Sequence, residues 1–301
     1  MIRQTIVSAS RRTDLPAFYT PWLIGRIRAG YCLVANPRFP SRVLRVSLRP
    51  EDVLGFVFWT RHAAPLLPHL AELDRAGFAY YFQYTLIGYP ASLEPCSPPL
   101  DLAIGTLRSL AARIGPERVV WRYDPIVFNR ELDEAWHREH FRRLADALDG
   151  AIRRLVVSVI DPYVKTRRRI GDEEAGVVYD PARYVDFLGW LAGECGDRRL
   201  PVQSCAEAEL DVSGITWGRC VDGGLLFPPG GRPEPPEFEL HGLREGCLCH
   251  RSVDIGANDS CGFGCRYCYA TTDHGRALAA VSRHRPEWNC LTRDLPAHGL
   301  D

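Results

Sequence analysis

The chain alternates between short apolar runs and longer segments in which apolar residues recur every three or four positions. Several short runs are apolar at consecutive positions, as in strands covered on both faces. The runs that we predict as strands are 5–9, 31–35, 43–47, 54–59, 79–84, 118–121, 155–160 and 201–204. The segments with helical spacing are 65–76, 101–114, 133–148 and 183–194. His137 and His140 fall in the third of these helices, where we expect a solvent-exposed face.

Repeated strand-then-helix order predicts an α/β fold whose parallel strands are joined by helical crossovers. A TIM-like barrel, complete or incomplete, is our first interpretation, and an open doubly wound sheet is the alternative. We predict a barrel-like domain over residues 1–225, a proline-rich connection over 226–245, and a cysteine-rich segment over 246–285 that completes the barrel. Residues 286–301 are expected to form a tail.

Composition narrows the class of protein. The 301 residues are 46% hydrophobic and 25% charged, which is typical of a soluble globular chain. The 37 basic and 37 acidic residues cancel, so there is no general attraction to nucleic acid. The first residues lack the apolar stretch of a signal peptide, and the apolar runs have the length of strands. We therefore expect a cytoplasmic protein that does not span a membrane.

Cysteine spacing gives the strongest chemical signal. Five of the eleven cysteines lie between Cys247 and Cys268, and such clustering favours metal ligation over a disulfide framework. Cys261, Cys265 and Cys268 follow the pattern C-x3-C-x2-C. Three thiolates from one tight loop can hold three irons of a [4Fe–4S] cluster and leave the fourth iron open. A structural zinc site is the alternative, although zinc usually takes four ligands from paired C-x2-C motifs.

This spacing resembles the signature of the radical S-adenosylmethionine superfamily. The resemblance implies that the open iron binds S-adenosylmethionine and that its reductive cleavage gives a 5′-deoxyadenosyl radical. In that superfamily the loop follows the first barrel strand, whereas here it lies near the carboxyl end of the chain. We therefore predict a circularly permuted barrel, with a short strand at 252–255 and a helix at 272–283 around the loop.

The superfamily's glycine-rich motif, which binds the amine of the cofactor, is not evident after any predicted strand. A protein that transfers electrons or senses through an iron–sulfur cluster, without cleaving S-adenosylmethionine, is therefore the alternative function. In either case we expect an electron donor such as ferredoxin or flavodoxin.

A second resemblance covers nearly the whole chain. The segments SASRRTDLPAF, FVFWT, YYFQYTL, VVWRYDPI, SCAE and DIGANDSCGFGCRYCYA resemble the bacterial family catalogued as domain of unknown function 1848. That family is similar to radical S-adenosylmethionine proteins and faintly similar to spore photoproduct lyase. The lyase similarity implies a nucleic-acid repair enzyme as a further alternative, but the zero net charge disfavours it. The resemblance names no substrate.

Four more cysteines, Cys205, Cys220, Cys247 and Cys249, are candidates for a second metal site. Four thiolates would fully ligate a second [4Fe–4S] cluster, which would suit electron relay because no iron is left open. The alternatives are ordinary buried thiols and a zinc site formed by the same four residues.

Polar side chains follow several predicted strands, and the carboxyl ends of barrel strands meet on the face that carries the active site. From this position we predict Asp14, Asp124 and Lys165 as catalytic residues. Lys165 is the chain's one lysine and lies in a basic run that would ease its deprotonation, although the run could instead bind phosphate or face solvent. The predicted cofactor-binding residues are Arg12, Arg122, Gln83 and Glu207.

Overall fold

A parallel sheet of eight strands forms the centre of the fold in the described part of the chain. The computed structural model describes residues 4–37, 39, 41–171, 175–205, 212–227, 238–241 and 246–296. The strands are β1 (Thr5–Ala9), β2 (Tyr31–Ala35), β3 (Val43–Ser47), β4 (Val53–Thr60), β5 (Tyr80–Thr85), β6 (Val119–Ile126), β7 (Leu155–Val159), β8 (Val202–Cys205), β9 (Ile215–Gly218) and β10 (Ser252–Asp254).

The order of strands across the sheet is β10-β1-β4-β5-β6-β7-β8-β9, and every neighbouring pair is parallel. All the runs predicted as strands are confirmed, although β2 and β3 pair with each other as an antiparallel hairpin outside the sheet. The strand predicted at 252–255 is confirmed as β10, which pairs with β1. β9 was not predicted, because its four residues are too short to show a period.

Helices follow most of the strands. They are α1 (Leu15–Phe18), α2 (Thr20–Ala29), α3 (Leu70–Arg75), α4 (Leu100–Ile114), α5 (Glu134–Ala147), α6 (Val164–Ile170), α7 (Val185–Asp197) and α8 (His274–Arg283). Short 3-10 turns lie at Leu67–His69, Pro116–Arg118, Pro181–Tyr184 and Gly223–Leu226. The four helices predicted from apolar spacing and the helix predicted after the cysteine loop are present, whereas α1, α2 and α6 were not predicted. The described residues include no helix with the length and apolar character needed to cross a bilayer.

The sheet is not a closed barrel in the described residues, because no ladder joins its two edge strands, β9 and β10. The fold is therefore α/β with a parallel sheet, and complete TIM closure is not shown. Residues 219–223, after β9, and 246–250, before β10, nevertheless bond to each other. His250 N donates to Val221 O at 3.0 Å, and Gly223 N donates to His250 Nδ1 at 2.8 Å. We call these two segments the seam.

The two faces of the sheet bury different sets of side chains. One face carries the large core under the helices, including Phe56, Phe82 and Trp121. The other face carries a small cluster that includes Val57, Val120 and two cysteines of the seam. Because side chains alternate along a strand, the next residues on this second face are Trp59 and Arg122 and their counterparts in neighbouring strands. This second face is thus apolar in the middle of the strands and polar toward their carboxyl ends.

The expectation of a solvated histidine face on α5 was wrong, because His137 is fully buried among aromatic rings and bonds to Tyr123 Oη at 2.8 Å. His140 bonds to Ile87 O at 2.5 Å. Most of the predicted proline-rich connection, residues 228–237 and 242–245, lies outside the described residues.

Candidate metal and cofactor site

A cavity of about 460 Å³ opens at the carboxyl ends of the strands. Its volume lies within the range of small-molecule sites. Residues at the ends of β1, β4, β5, β6, β7, β8 and β9, or just after them, line it, together with the segments before and after β10. Seven cysteines lie on its wall: Cys205, Cys220, Cys247, Cys249, Cys261, Cys265 and Cys268. The sheet therefore brings both cysteine groups predicted from the sequence to one place.

Cys261, Cys265 and Cys268, which we call the triad, lie on one tight loop. Cys268 N donates to Cys265 O at 3.0 Å, and Ala270 N donates to Cys268 Sγ at 3.4 Å. Gly264 has a φ of +68°, and a Cβ built on it would lie 2.5 Å from the ring of His274. Only glycine fits this close, left-handed turn, which lets the three thiols follow one another around the loop.

The first helix region anchors this loop. Tyr19 Oη donates to Ser260 O at 2.7 Å, and the hydroxyls of Thr13 and Ser260 are 2.6 Å apart. Phe18 packs edge-on against Phe263 with ring centroids 4.6 Å apart. These contacts join residues about 240 positions apart in the chain, so β1 and the triad are parts of one site.

A buried ionic group lies beside Cys265. Arg61 Nη1 and Glu94 Oε1 are 2.9 Å apart, and the Glu94 side chain is 1% exposed. Tyr267 Oη donates to Glu94 and accepts from Arg61. The Arg61 guanidinium acts electrostatically on Cys265 and favours its thiolate form. Glu94 was not predicted, because it directly follows no strand and belongs to no motif.

Cys205, Cys220, Cys249 and Cys247 form a second group, which we call the row. Cys205 Sγ and Cys220 Sγ are 2.8 Å apart. Cys220 also contacts Cys249, and Cys249 contacts Cys247. Val221 N donates to Cys249 Sγ at 3.3 Å. The row thus connects the end of β8 with both segments of the seam.

The positively charged side chain of Arg122 lies beside the row. This side chain is buried, and its Nη1 donates to Cys220 Sγ at 2.9 Å. Its Nε and Nη2 bind Asp124, which also accepts from the Ser158 hydroxyl. The guanidinium therefore joins a carboxylate to a thiol within the cavity wall. Ser158 was not predicted, because it lies inside an apolar strand run.

The thiols of the two groups have different acidities. Burial raises the pKa of Cys261 above its ordinary value and that of Cys265 to about 12. In the row, the contact with Cys220 and the nearby Arg122 charge lower the pKa of Cys205. Contacts with Cys220 and Cys247 lower the pKa of Cys249, while the same network raises that of Cys220. Two thiols of the row, Cys205 and Cys249, are thus more acidic than an ordinary cysteine, whereas a metal at Cys261 or Cys265 would have to displace a proton.

Two residues predicted to bind the cofactor line the cavity with their charges already paired. Arg12 forms an ion pair with Asp254 at 3.1 Å, and Arg122 holds Asp124. Asp254 was not predicted, and it also accepts from Ser8 and Ser10. Gln83 does not line the cavity. It is 1% exposed and donates to Cys220 O, so it holds the backbone of the row at Cys220. Glu207 lies outside the described residues.

The three residues predicted to be catalytic have different surroundings. Asp124 lines the cavity, and its role stays a prediction. Asp14 also lines it, but both of its oxygens accept hydrogen bonds, from Ala17 N, Thr60 Oγ1 and Arg61 N, so it caps α1. Burial raises the pKa of Asp14 to about 7. Lys165 lies in the first turn of α6 and is absent from the cavity lining, although Arg169 of the same helix donates to Cys268 O.

Preformed single-ion sites are absent from the described residues: no group of three or more His, Cys, Asp or Glu side chains is arranged for one metal ion. No disulfide links the cysteines there either. The thiols of the cavity are a loop of three and a row of four. Thiolates in these numbers can ligate iron–sulfur clusters.

Comparison with curated proteins and with solved structures gives no match. A family model, described as "Domain of unknown function (DUF1848)", matches residues 6–270. The match extends from β1 through the triad loop and so includes every cysteine of the cavity. This chain belongs to the DUF1848 family, as the resemblance of its segments predicted.

Proposed function

We propose that this protein is a radical S-adenosylmethionine enzyme whose [4Fe–4S] cluster is held by Cys261, Cys265 and Cys268. One observation carries the proposal. The C-x3-C-x2-C loop leads off a parallel strand and faces a cavity of about 460 Å³ at the carboxyl ends of the sheet. Enzymes with parallel α/β sheets build their sites at this end.

The proposal includes a permuted, barrel-like sheet. β10 comes last in the chain yet lies next to β1. Its loop therefore occupies the place that a loop after a first barrel strand would have. The hydrogen bonds of the seam support a strongly curved sheet, since they link segments that extend from its two edges.

The residues of the chain fit a cluster with one open iron. The triad supplies three thiolates, and Ala270 N–H already points to one of the sulfurs. When bound, the cluster would supply the electron for reductive cleavage of S-adenosylmethionine. Asp124 and Ser158 on the cavity wall are polar groups that could orient the cofactor. Arg12 and Arg122 line the same cavity, with Asp254 and Asp124 as their counter-ions, and could donate hydrogen bonds to a carboxylate.

An iron–sulfur electron carrier is the second candidate. The cavity supplies further thiols in the row, and the superfamily's glycine-rich amine-binding motif is not evident in the sequence. Such a carrier would hold a cluster on the triad without binding S-adenosylmethionine. Under either reading we propose a cytoplasmic protein that receives electrons from a ferredoxin or flavodoxin.

The test is electron paramagnetic resonance of the anaerobically purified, dithionite-reduced protein, with and without S-adenosylmethionine. Iron, sulfide and zinc are counted on the same samples. A [4Fe–4S]⁺ signal that changes on adding the cofactor, and whose response to the cofactor is lost in Cys265→Ser, supports the proposal. Cys96→Ser is the control, because Cys96 is exposed and does not line the cavity. A signal indifferent to the cofactor would establish the electron carrier instead, and zinc without iron would exclude both.

A further inference from the structure

The row of four cysteines is a second donor set, and the proposed enzyme leaves it without a role. Its members come from three separate places in the chain: the end of β8, the turn after β9 and the segment before β10. The fold nevertheless brings their thiols into mutual contact, with 2.8 Å between the sulfurs of Cys205 and Cys220. Thiols converging from three elements are a recognised arrangement for a metal centre.

Two arginines lie beside the cysteines of the row. Arg122 donates directly to Cys220 Sγ at 2.9 Å from a buried position. Arg11 lines the same cavity and acts electrostatically on Cys249. The Nε–H of Arg11 is buried and has no hydrogen-bond partner among the described residues. A buried donor without an acceptor is costly, so this N–H marks a place where an anionic group would be stabilised.

We propose that Cys205, Cys220, Cys247 and Cys249 bind a second, fully ligated [4Fe–4S] cluster at the seam of the sheet. Four thiolates leave no iron open, so this centre carries electrons and does not bind substrate. It accepts one electron from an external one-electron donor of the ferredoxin or flavodoxin class and passes it to the triad cluster. The oxidised donor then leaves. The electron-relay role rests on the proposed function, but the metal site itself does not.

Charge favours a cluster over a single zinc ion. The thiols contact one another from Cys205 through Cys220 and Cys249 to Cys247, and Arg11 and Arg122 flank them. A cluster with four thiolates carries more negative charge than a zinc tetrathiolate when reduced, which matches the two flanking arginines.

The seam gives the site a structural consequence. Two direct hydrogen bonds between backbone and His250 link its segments, at 2.8 and 3.0 Å. Cys220 and Cys249 lie on opposite segments of the seam, so a metal centre bound by both would cross-link the two edges of the sheet. Loading the row with metal is therefore expected to slow hydrogen exchange at Val221 and His250, whose amides bond across the seam.

The test separates the two groups by mutation in the full chain. Iron, sulfide and zinc are counted in anaerobic wild type and in the variant C261S/C265S/C268S. We expect about eight irons in the wild type and about four in the variant, with a cubane Mössbauer spectrum in both. The variant's reduced signal should ignore S-adenosylmethionine. No iron in the variant, or one zinc in place of iron, overturns the proposal.

The reciprocal variant C205S/C249S covers the case in which the triad variant does not fold. It should retain about four irons and a signal that responds to S-adenosylmethionine, and it should exchange the seam amides faster than wild type. An iron content equal to that of the wild type overturns the second cluster. Cys195→Ser is the matched control, because Cys195 is buried on α7 away from the cavity. The proposed function fails separately if C205S/C249S binds no iron, or if its signal ignores S-adenosylmethionine.

Discussion

The triad and the row line the same cavity but reach it by different routes. The triad is continuous in sequence, spans eight residues, and depends on one tight loop. The row is drawn from 45 positions of the chain and exists only because the segments that extend from the two edge strands meet at the seam. Burial raises the pKa of Cys261 and Cys265, whereas contact with Cys220 and the Arg122 charge lower the pKa of Cys205. The spacing of cysteines in the sequence predicts a local group such as the triad, whereas a dispersed group such as the row is recognised only from the fold.

The largest expected effect concerns the ion pair beside the triad. Arg61→Met leaves the buried Glu94 carboxylate without its cation, and breaking a buried pair in this way costs about 3–5 kcal/mol. Chemical denaturation of the metal-free protein measures the loss. The triad should also lose iron, while the row retains its share.

Arg113→Met is the control for this change. Arg113 pairs with Asp74 at 2.6 Å on the surface, where such a pair contributes less than about 1 kcal/mol. Equal losses in the two variants would contradict the buried pair's role.

The dependence of the free energy of unfolding on pH tests the helix-covered core separately from the cavity. Burial lowers the pKa of His137 to about 4 from its ordinary 6.5, so the unfolded chain binds more protons between these values. The free energy of unfolding should therefore fall as the pH drops from 6.5 to 4, by up to about 3 kcal/mol from this residue. The slope should be the same in the triad and row variants, because His137 lies in the helix-covered core. A His137→Asn variant that keeps the full slope would refute the assignment.

A change in the backbone of the triad loop tests whether the triad and the row bind iron independently. Gly264→Ala places a Cβ at a φ of +68° and close to His274, at a cost of about 1–3 kcal/mol. We expect the triad's iron to be lost and the row's iron to remain, as counted by metal analysis. Gly105→Ala, in exposed helix with open space around it, should instead stabilise the fold by up to about 1 kcal/mol. Iron loss from both groups in Gly264→Ala would mean that they do not assemble independently.

The smallest effect is expected at Arg122. Arg122→Lys keeps the charge but cannot bind Cys220 and Asp124 together in the same way. A cation hydrogen-bonded to a cluster ligand favours the reduced state, so the row's reduction potential should become more negative. Redox titration followed by electron paramagnetic resonance would show this, with the triad's potential unchanged. An equal shift of both potentials, or a shift of the triad alone, would contradict the pairing of Arg122 with the row.

The sequence predicted much of this protein, because much of it is local. Buried strands appear as consecutive apolar residues, amphipathic helices have their period, and the triad loop has a fixed spacing; each signal lies within a few residues. The sequence also identified all seven cysteines of the cavity, although it gave no distances between them. What it could not determine was orientation: Lys165 follows β7 and Gln83 lies within β5, yet neither lines the cavity, and His137 faces the core.

The tertiary structure alone decided which distant groups meet. Asp254 reaches Arg12 across 242 positions, and Glu94 reaches Tyr267 across 173. Cys205, Cys220, Cys247 and Cys249 likewise become one group only at the seam. Such contacts depend on strand order and sheet curvature, which arise from packing of the whole chain. No short window of sequence carries that information, because side chains that meet across a sheet need share neither period nor motif.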